Sequence, residues 1–138
     1  MRLTIFDLSV LVNVSVLSIL ENLESLNLSW TRIVDVSALA QLTNLKVLDL
    51  GFTEVVDISA LGKLTKLKTL ILGCTKVYDI SALANLKKLE ILELGNTKVH
   101  DVSALTELTN LKRLYLNFTK VGDFSALKNK LPNLQVIH

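Results

Sequence analysis

The chain has 138 residues, half of them hydrophobic but only 5% aromatic, with 15 basic and 13 acidic side chains for a formal charge of +2. The length suffices for one core, which must be aliphatic, and the near balance of charge excludes the basic footprint of a nucleic-acid binder. Cys74 is the single cysteine, which excludes an intrachain disulfide. It points to a reducing, cytoplasmic setting, with a bacterial-type secreted or surface protein as the alternative.

Residues 3–20 are unusually apolar, yet they read as a degenerate first repeat rather than as a leader or a membrane span. Asp7 and Asn13 interrupt the run, only Arg2 precedes it, and no clear small-residue cleavage site follows. In this register Met1, Phe6, Leu11, Val14, Leu17 and Leu20 take core positions, with Thr4 the exception.

From Leu23 onward the pattern is regular. Units begin at Leu23, Leu45, Leu67, Leu89 and Leu111, and each reads Leu-x-x-Leu-x-Leu-x-x-Thr-x-[Ile/Val]-x-Asp-[Ile/Val/Phe]-Ser-Ala-Leu. A fixed period of this length predicts a solenoid in which each unit buries its apolar face against its neighbours. The division is a single domain over 1–138: a degenerate repeat 1–22, repeats 23–44, 45–66, 67–88, 89–110 and 111–133, and a partial final strand 134–138.

Within a unit, the alternation around Leu-x-x-Leu-x-Leu has the period of a half-buried strand. Strands are expected to centre near Leu26–Leu28, Leu48–Leu50, Leu70–Leu72, Leu92–Leu94 and Leu114–Leu116, stacked as a parallel sheet. In the third unit Leu48 and Leu50 point inward, and Val47, Asp49 and Gly51 outward. The Thr column that follows (Thr31, Thr53, Thr75, Thr97, Thr119) supplies hydroxyls to backbone groups left without ladder partners at the corner, one rung after another. The Asp column (Asp35, Asp57, Asp79, Asp101, Asp123) precedes Ser-Ala-Leu and reads as the cap of a short 3₁₀ or single α-turn. One carboxylate per 22 residues does not supply the six to eight oxygens of a calcium site. The last unit is one residue longer, with an insertion around Lys128-Asn129-Lys130 and the only proline, Pro132.

These motifs resemble the leucine-rich repeat family, and the 22-residue length with Asp-[Ile/Val]-Ser-Ala-Leu resembles its internalin-like subclass. The resemblance is close over 23–133 and loose over 1–22. It implies an α/β leucine-rich repeat solenoid, a curved right-handed coil with the parallel β-sheet on its concave face and short 3₁₀/α turns on its convex face. It also implies that the concave sheet binds other proteins. Thr stands where the family usually has Asn at the corner, and no family cap domain is present.

Nothing in the sequence arranges catalysis. His100 and His138 are the only histidines, Cys74 lies in a different column from both, and no metal-ligand cluster or phosphate-cradling loop occurs. The expectation is a non-enzymatic protein with no cofactor and no metal. The informative side chains are those the core leaves free. The eighth position of successive units holds Leu8, Trp30, Phe52, Cys74, Asn96 and Phe118, so aromatics that are rare in the chain gather in one column at the rim of the strand face. The fifth position holds Asp49, Ile71, Glu93 and Tyr115 on the sheet itself. Exposed aromatics beside polar positions are typical binding anchors; the alternative is that these rings pack flat against neighbouring rungs as local cover. The candidate partner-binding residues are therefore Trp30, Phe52, Phe118, Asp49, Ile71, Glu93 and Tyr115, and the expected ligand is a protein. The alternative function is a structural, self-associating segment of a longer array. It is motivated by Leu3, Ile5, Leu8, Val10 and Val12, which a free N-terminal repeat would leave in water; covering them by a homodimer is its concrete form. Neither nucleic acid nor a membrane span is expected.

Overall fold

The first Leu-x-Leu of each unit can bury both leucines only if the backbone is extended, and the chain obeys. The computed structural model describes residues 1–4 and 20–138. Seven three-residue strands run in chain order: β1 (Arg2–Thr4), β2 (Ser25–Asn27), β3 (Val47–Asp49), β4 (Thr69–Ile71), β5 (Ile91–Glu93), β6 (Arg113–Tyr115) and β7 (Gln135–Ile137). They form one parallel sheet in sequential order. Each strand from β2 to β6 centres on the fourth-position leucine, one residue earlier than the Leu-to-Leu midpoint expected from the sequence. Lateral bonding nevertheless continues past the strand ends: the Leu28 N–H donates to Asp49 O at 2.8 Å and that of Leu50 to Ile71 O at 2.9 Å.

Leu26, Leu28, Leu48, Leu50, Leu70, Leu72, Leu92 and Leu94 are fully buried. Opposite them, Ile33, Val55, Val77 and Val99 and the back-face leucines Leu39, Leu61, Leu83 and Leu105 close the same continuous core. Because every rung repeats the same residues at the same height, each core leucine packs on its equivalents above and below, as a solenoid requires.

The corners are where the backbone must leave the ladder. Thr31, Thr53, Thr75 and Thr97 are buried there, and each hydroxyl donates to a carbonyl three residues earlier in its own coil, Leu28, Leu50, Leu72 and Leu94, at 2.6–2.7 Å. The column therefore stitches each corner internally rather than passing from rung to rung. A β-branched residue with a short hydroxyl reaches its own i−3 carbonyl more easily than the next coil.

On the far side lie the 3₁₀ turns Ser37–Gln41, Ser59–Lys63, Ser81–Asn85 and Ser103–Leu105, and the α-helix α1 (Ser125–Lys130). Every Asp of the column accepts from the backbone N–H of the Ser two residues on, at 2.8 Å. The residue at the helical cap is the Val, Ile or Phe between them, and it makes no side-chain bond. The aspartate thus acts one residue before the cap, closing an Asx-turn that aims the chain into the helix. These bonds favour the ionised form and hold the five carboxyls below the ordinary aspartate range.

Two ends depart from the expected register. Arg2 pairs with Ser25, Leu3 with Leu26 and Thr4 with Asn27. The first step is thus 23 residues, and Leu3 falls in the column of Leu26 rather than in that of Ser25. Thr4 accordingly falls in the column of Asn27 rather than in that of Leu26. The last unit takes up its extra residue in α1, whose Lys128 N–H reaches Phe124 O and Leu131 N–H reaches Leu127 O, the wider α-helical spacing. Leu131 and Leu134 are shifted by one residue as a result, yet β7 recovers the 22-residue step, with Leu114 paired to Val136. Ile5, Leu8, Val10 and Val12, invoked for a homodimer, lie outside the described residues, as do Phe6, Leu11, Val14 and Leu17.

Candidate functional site

The eighth residue of each unit carries a constraint that no side chain at that position announces. Trp30, Phe52, Cys74, Asn96 and Phe118 all have positive φ, between 54° and 63°. For a non-glycine residue this left-handed backbone is uncommon and costly, and for bulky aromatics it is an outlier. The bend is held by lateral bonds: the Trp30 N–H donates to Gly51 O, Phe52 to Gly73 O, Cys74 to Gly95 O and Asn96 to Asn117 O, at 2.7–3.0 Å. The turn lifts these side chains out of the core and stands them along one rim of the strand face.

There they behave differently from one another. Trp30 and Phe52 stack with ring centroids 3.8 Å apart and planes within 7° of parallel, leaving Trp30 70% and Phe52 47% exposed. Stacking covers one face of each ring and leaves the remainder to solvent. Phe118 stands apart, three coils beyond Phe52 or about 14 Å at the spacing of parallel strands, and is 89% exposed. Between them the rim continues as Cys74 and Asn96, whose amide nitrogen donates to the Cys74 sulfur at 3.4 Å.

Inside this rim runs a groove of about 310 Å³ lined by Trp30, Asp49, Phe52, Ile71, Glu93 and Phe118, together with Gly51, Gly73 and Gly95. Six of the seven side chains expected from the sequence are thereby gathered around one concavity. Tyr115 is the seventh; it sits half-buried on β6, paired in register with Glu93 but outside the groove lining. The floor is glycine for a steric reason. The Glu93 carboxylate lies flat across two rungs, so that a Cβ on Gly73 would meet its Oε2 at 1.8 Å and one on Gly95 would meet its Oε1 at 2.6 Å. The three glycines are buried beneath such side chains rather than simply bare. Gly95 N–H donates to Glu93 Oε1 at 2.6 Å, and Gly51 N–H donates to Asp49 Oδ1 at 2.9 Å. Burial raises the Glu93 carboxyl above the ordinary glutamate range, opposed by the Gly95 and Gly73 backbone N–H groups.

Four other glutamates are paired with lysines across rungs. Lys46 meets Glu24 at 2.7 Å, Lys68 and Lys112 clasp Glu90 at 3.2 and 2.6 Å, Lys76 meets Glu54, and Lys130 meets Glu107 at 3.6 Å. These partners hold Glu24 and Glu90 below the ordinary glutamate range. Asp49 and Glu93 enter none of these pairs.

The sequence reading missed the glycine floor beneath Glu93, the lining contributed by Cys74, Asn96 and Asn117, and a second exposed column, Val34, Val56 and Tyr78, beside the 3₁₀ turns. Asn96 was the available signal for the left-handed turn behind this lining, since Asn is among the few residues that adopt left-handed backbone readily. Among the described residues no three His, Cys, Asp or Glu side chains converge as metal ligands, and no helix is long and apolar enough to cross a membrane.

Comparison with known proteins places this geometry. The chain is similar in structure to internalin C2 of Listeria monocytogenes, with 40% identity and a TM-score of 0.87 over 91% of this chain and 56% of that one. It is similar to an internalin (InlF) of the same organism, at 33% identity and a TM-score of 0.65 over 87% of this chain and 42% of the other. A leucine-rich repeat protein of Leptospira interrogans shares the fold, with a TM-score of 0.81 at 24% identity over 98% of this chain and 34% of that one. The chain thus spans little more than half the length of the first of these and less of the others. A comparison with curated proteins finds no match. The model described as Leucine Rich repeats (2 copies) matches residues 21–63, 43–85 and 65–107, more than half the sequence. By that match, and by the solenoid its repeats build, the chain belongs to the leucine-rich repeat family.

Proposed function

We propose that this chain is a non-enzymatic binding module whose strand face and aromatic rim engage a protein ligand. The observation that carries this reading is the groove itself. Trp30, Phe52 and Phe118 are held in an unfavourable left-handed backbone and remain largely exposed, although the core asks nothing of them. Backbone strain of this kind persists where the surrounding structure imposes it, and here its effect is to present rigid aromatic surface. Rigid aromatics bury much apolar area with little loss of side-chain freedom, which is why a few of them dominate the energetics of protein interfaces.

The contact surface in this reading comprises Trp30, Phe52 and Phe118 on the rim, with Asp49, Ile71, Glu93 and Tyr115 on the sheet. The test is an alanine scan of these seven positions against a partner isolated from the native source, with Tm measured in parallel. Truncating Trp30 or Tyr115 costs about 2 kcal/mol or more in affinity while Tm stays near that of the parent. Full affinity through all seven changes, with loss on altering Val34, Val56 or Tyr78 instead, would move the interface to the edge beside the 3₁₀ turns.

A further inference from the structure

The groove is apolar at its ends and acidic in its middle. Asp49, Ile71 and Glu93 occupy the same position on adjacent strands β3, β4 and β5, and the Glu93 carboxylate leans back over Gly73, one rung from the Gly51 that binds Asp49. Each accepts from a glycine N–H of the groove floor, and both line the groove. Among the described residues neither forms an ion pair with a lysine or arginine, whereas Glu24, Glu54, Glu90 and Glu107 all do. The stacked Trp30–Phe52 pair closes one end of the same groove. Aromatic faces and carboxylates around an apolar floor have one chemistry in common, attraction for a flat, weakly hydrated cation with an aliphatic stem.

Resting on the binding reading above, we infer that the groove takes an arginine side chain of the protein ligand, its stem over Ile71 and its guanidinium among Asp49, Glu93 and the Trp30–Phe52 rim. Arginine fits better than lysine because its planar fork can meet a carboxylate with two parallel N–H bonds and stack on a ring at once. Glu93 is half-buried, so an incoming cation meets less solvent screening there than at the exposed glutamates. The chain as a whole carries +2, so a cationic probe gains nothing from net charge, and any attraction must be local.

Trp30 is the only tryptophan, so emission excited beyond the tyrosine absorption band reports on this groove alone. The probe is a capped Gly-Arg-Gly-Arg-Gly peptide, compared with its citrulline counterpart, which has nearly the same shape but no charge. The arginine peptide saturably changes Trp30 emission and the citrulline peptide does not. Asp49→Asn and Glu93→Gln, which keep an acceptor for the glycine N–H groups, each weaken the arginine peptide by about tenfold, the loss of one charge-assisted hydrogen bond. Circular dichroism melts confirm that both variants stay folded. Equal response to the two peptides, or no response to either, would overturn the inference. So would a native partner whose affinity falls on removing Trp30 or Phe52 but ignores Asp49→Asn and Glu93→Gln; that result would leave the aromatic rim as the binding surface and remove the arginine alone.

Discussion

Replacing Gly73 by Ala tests the groove floor, because the consequence passes through a side chain on the neighbouring strand. The new Cβ would stand 1.8 Å from Glu93 Oε2 and 2.8 Å from its carboxyl carbon, with no atom of another residue among its closest neighbours. Glu93 must therefore leave its shelf and give up the 2.6 Å bond from Gly95 N–H. A hydrogen bond to a charged group contributes about 1.5–3 kcal/mol when buried; since Glu93 is half-exposed, about 1–2 kcal/mol is at stake. Gly73 has no positive φ, so the alanine also narrows the unfolded ensemble and returns about 0.4–1 kcal/mol. The net expectation is a loss of about 0–1.6 kcal/mol. In a Glu93→Ala background the obstruction is gone and the same substitution stabilises by about 0.4–1 kcal/mol. Urea unfolding of the four proteins gives the coupling as a double-mutant cycle, with an unchanged m-value showing that the unfolding reaction is the same. Gly51→Ala is the control, since its Cβ would meet Asp49 Oδ1 at 3.2 Å and needs only a slight shift. Equal effects of Gly73→Ala with and without the Glu93 carboxylate would refute this account of the floor.

Leu72→Ala, in the fully buried centre of the core, costs about 2–5 kcal/mol in urea unfolding through the cavity it leaves; a loss below 1 kcal/mol would mean that neighbouring rungs collapse into the space. Asp79→Ala lowers Tm by removing the Asx-turn bond to Ser81, and leaves partner affinity intact. Its pH dependence has a definite sign: the folded-state carboxyl is held below its ordinary value of 3.8, so its contribution is present above that value and vanishes as pH falls through the folded-state value. Parent and variant should therefore converge in Tm in strong acid and separate toward neutrality. Added calcium should shift neither, and a calcium-dependent rise confined to the parent would make the aspartate column a metal site.

Much of the fold is legible from residue spacing, and the reasons are local. Leucine at the first, fourth and sixth positions of every unit determines which side of each strand is buried, and Asp-x-Ser can close its turn with no help from other coils. What spacing does not reveal is backbone geometry that the side chain does not encode. Trp30 and Phe52 give no sign of left-handed φ, because the bend is held by a lateral bond to the next coil; Phe118 adopts the same φ as the eighth residue of its unit. Register at the ends is equally hidden: Met1 and Leu3 are both apolar, so two alignments of β1 satisfy the pattern, and only pairing with Leu26 chooses. For the candidate site, the sequence places the aromatics in one column and the acids in another. It cannot show that Trp30 and Phe52 stack while Phe118 stands alone, or that Glu93 lies across Gly73 and Gly95, because these depend on side-chain rotamers on adjacent rungs.

The central claim is that a protein ligand covers the strand-face rim, and hydroxyl-radical footprinting of the complex tests it residue by residue. The reagent labels exposed aromatic rings, and this chain carries them on two separate surfaces: Trp30, Phe52 and Phe118 along the groove, and Tyr78, 54% exposed, beside the 3₁₀ turns. Labelling of the three groove aromatics should fall on complex formation while that of Tyr78 stays at its free level. Protection of Tyr78 with Trp30, Phe52 and Phe118 still fully labelled would contradict the account.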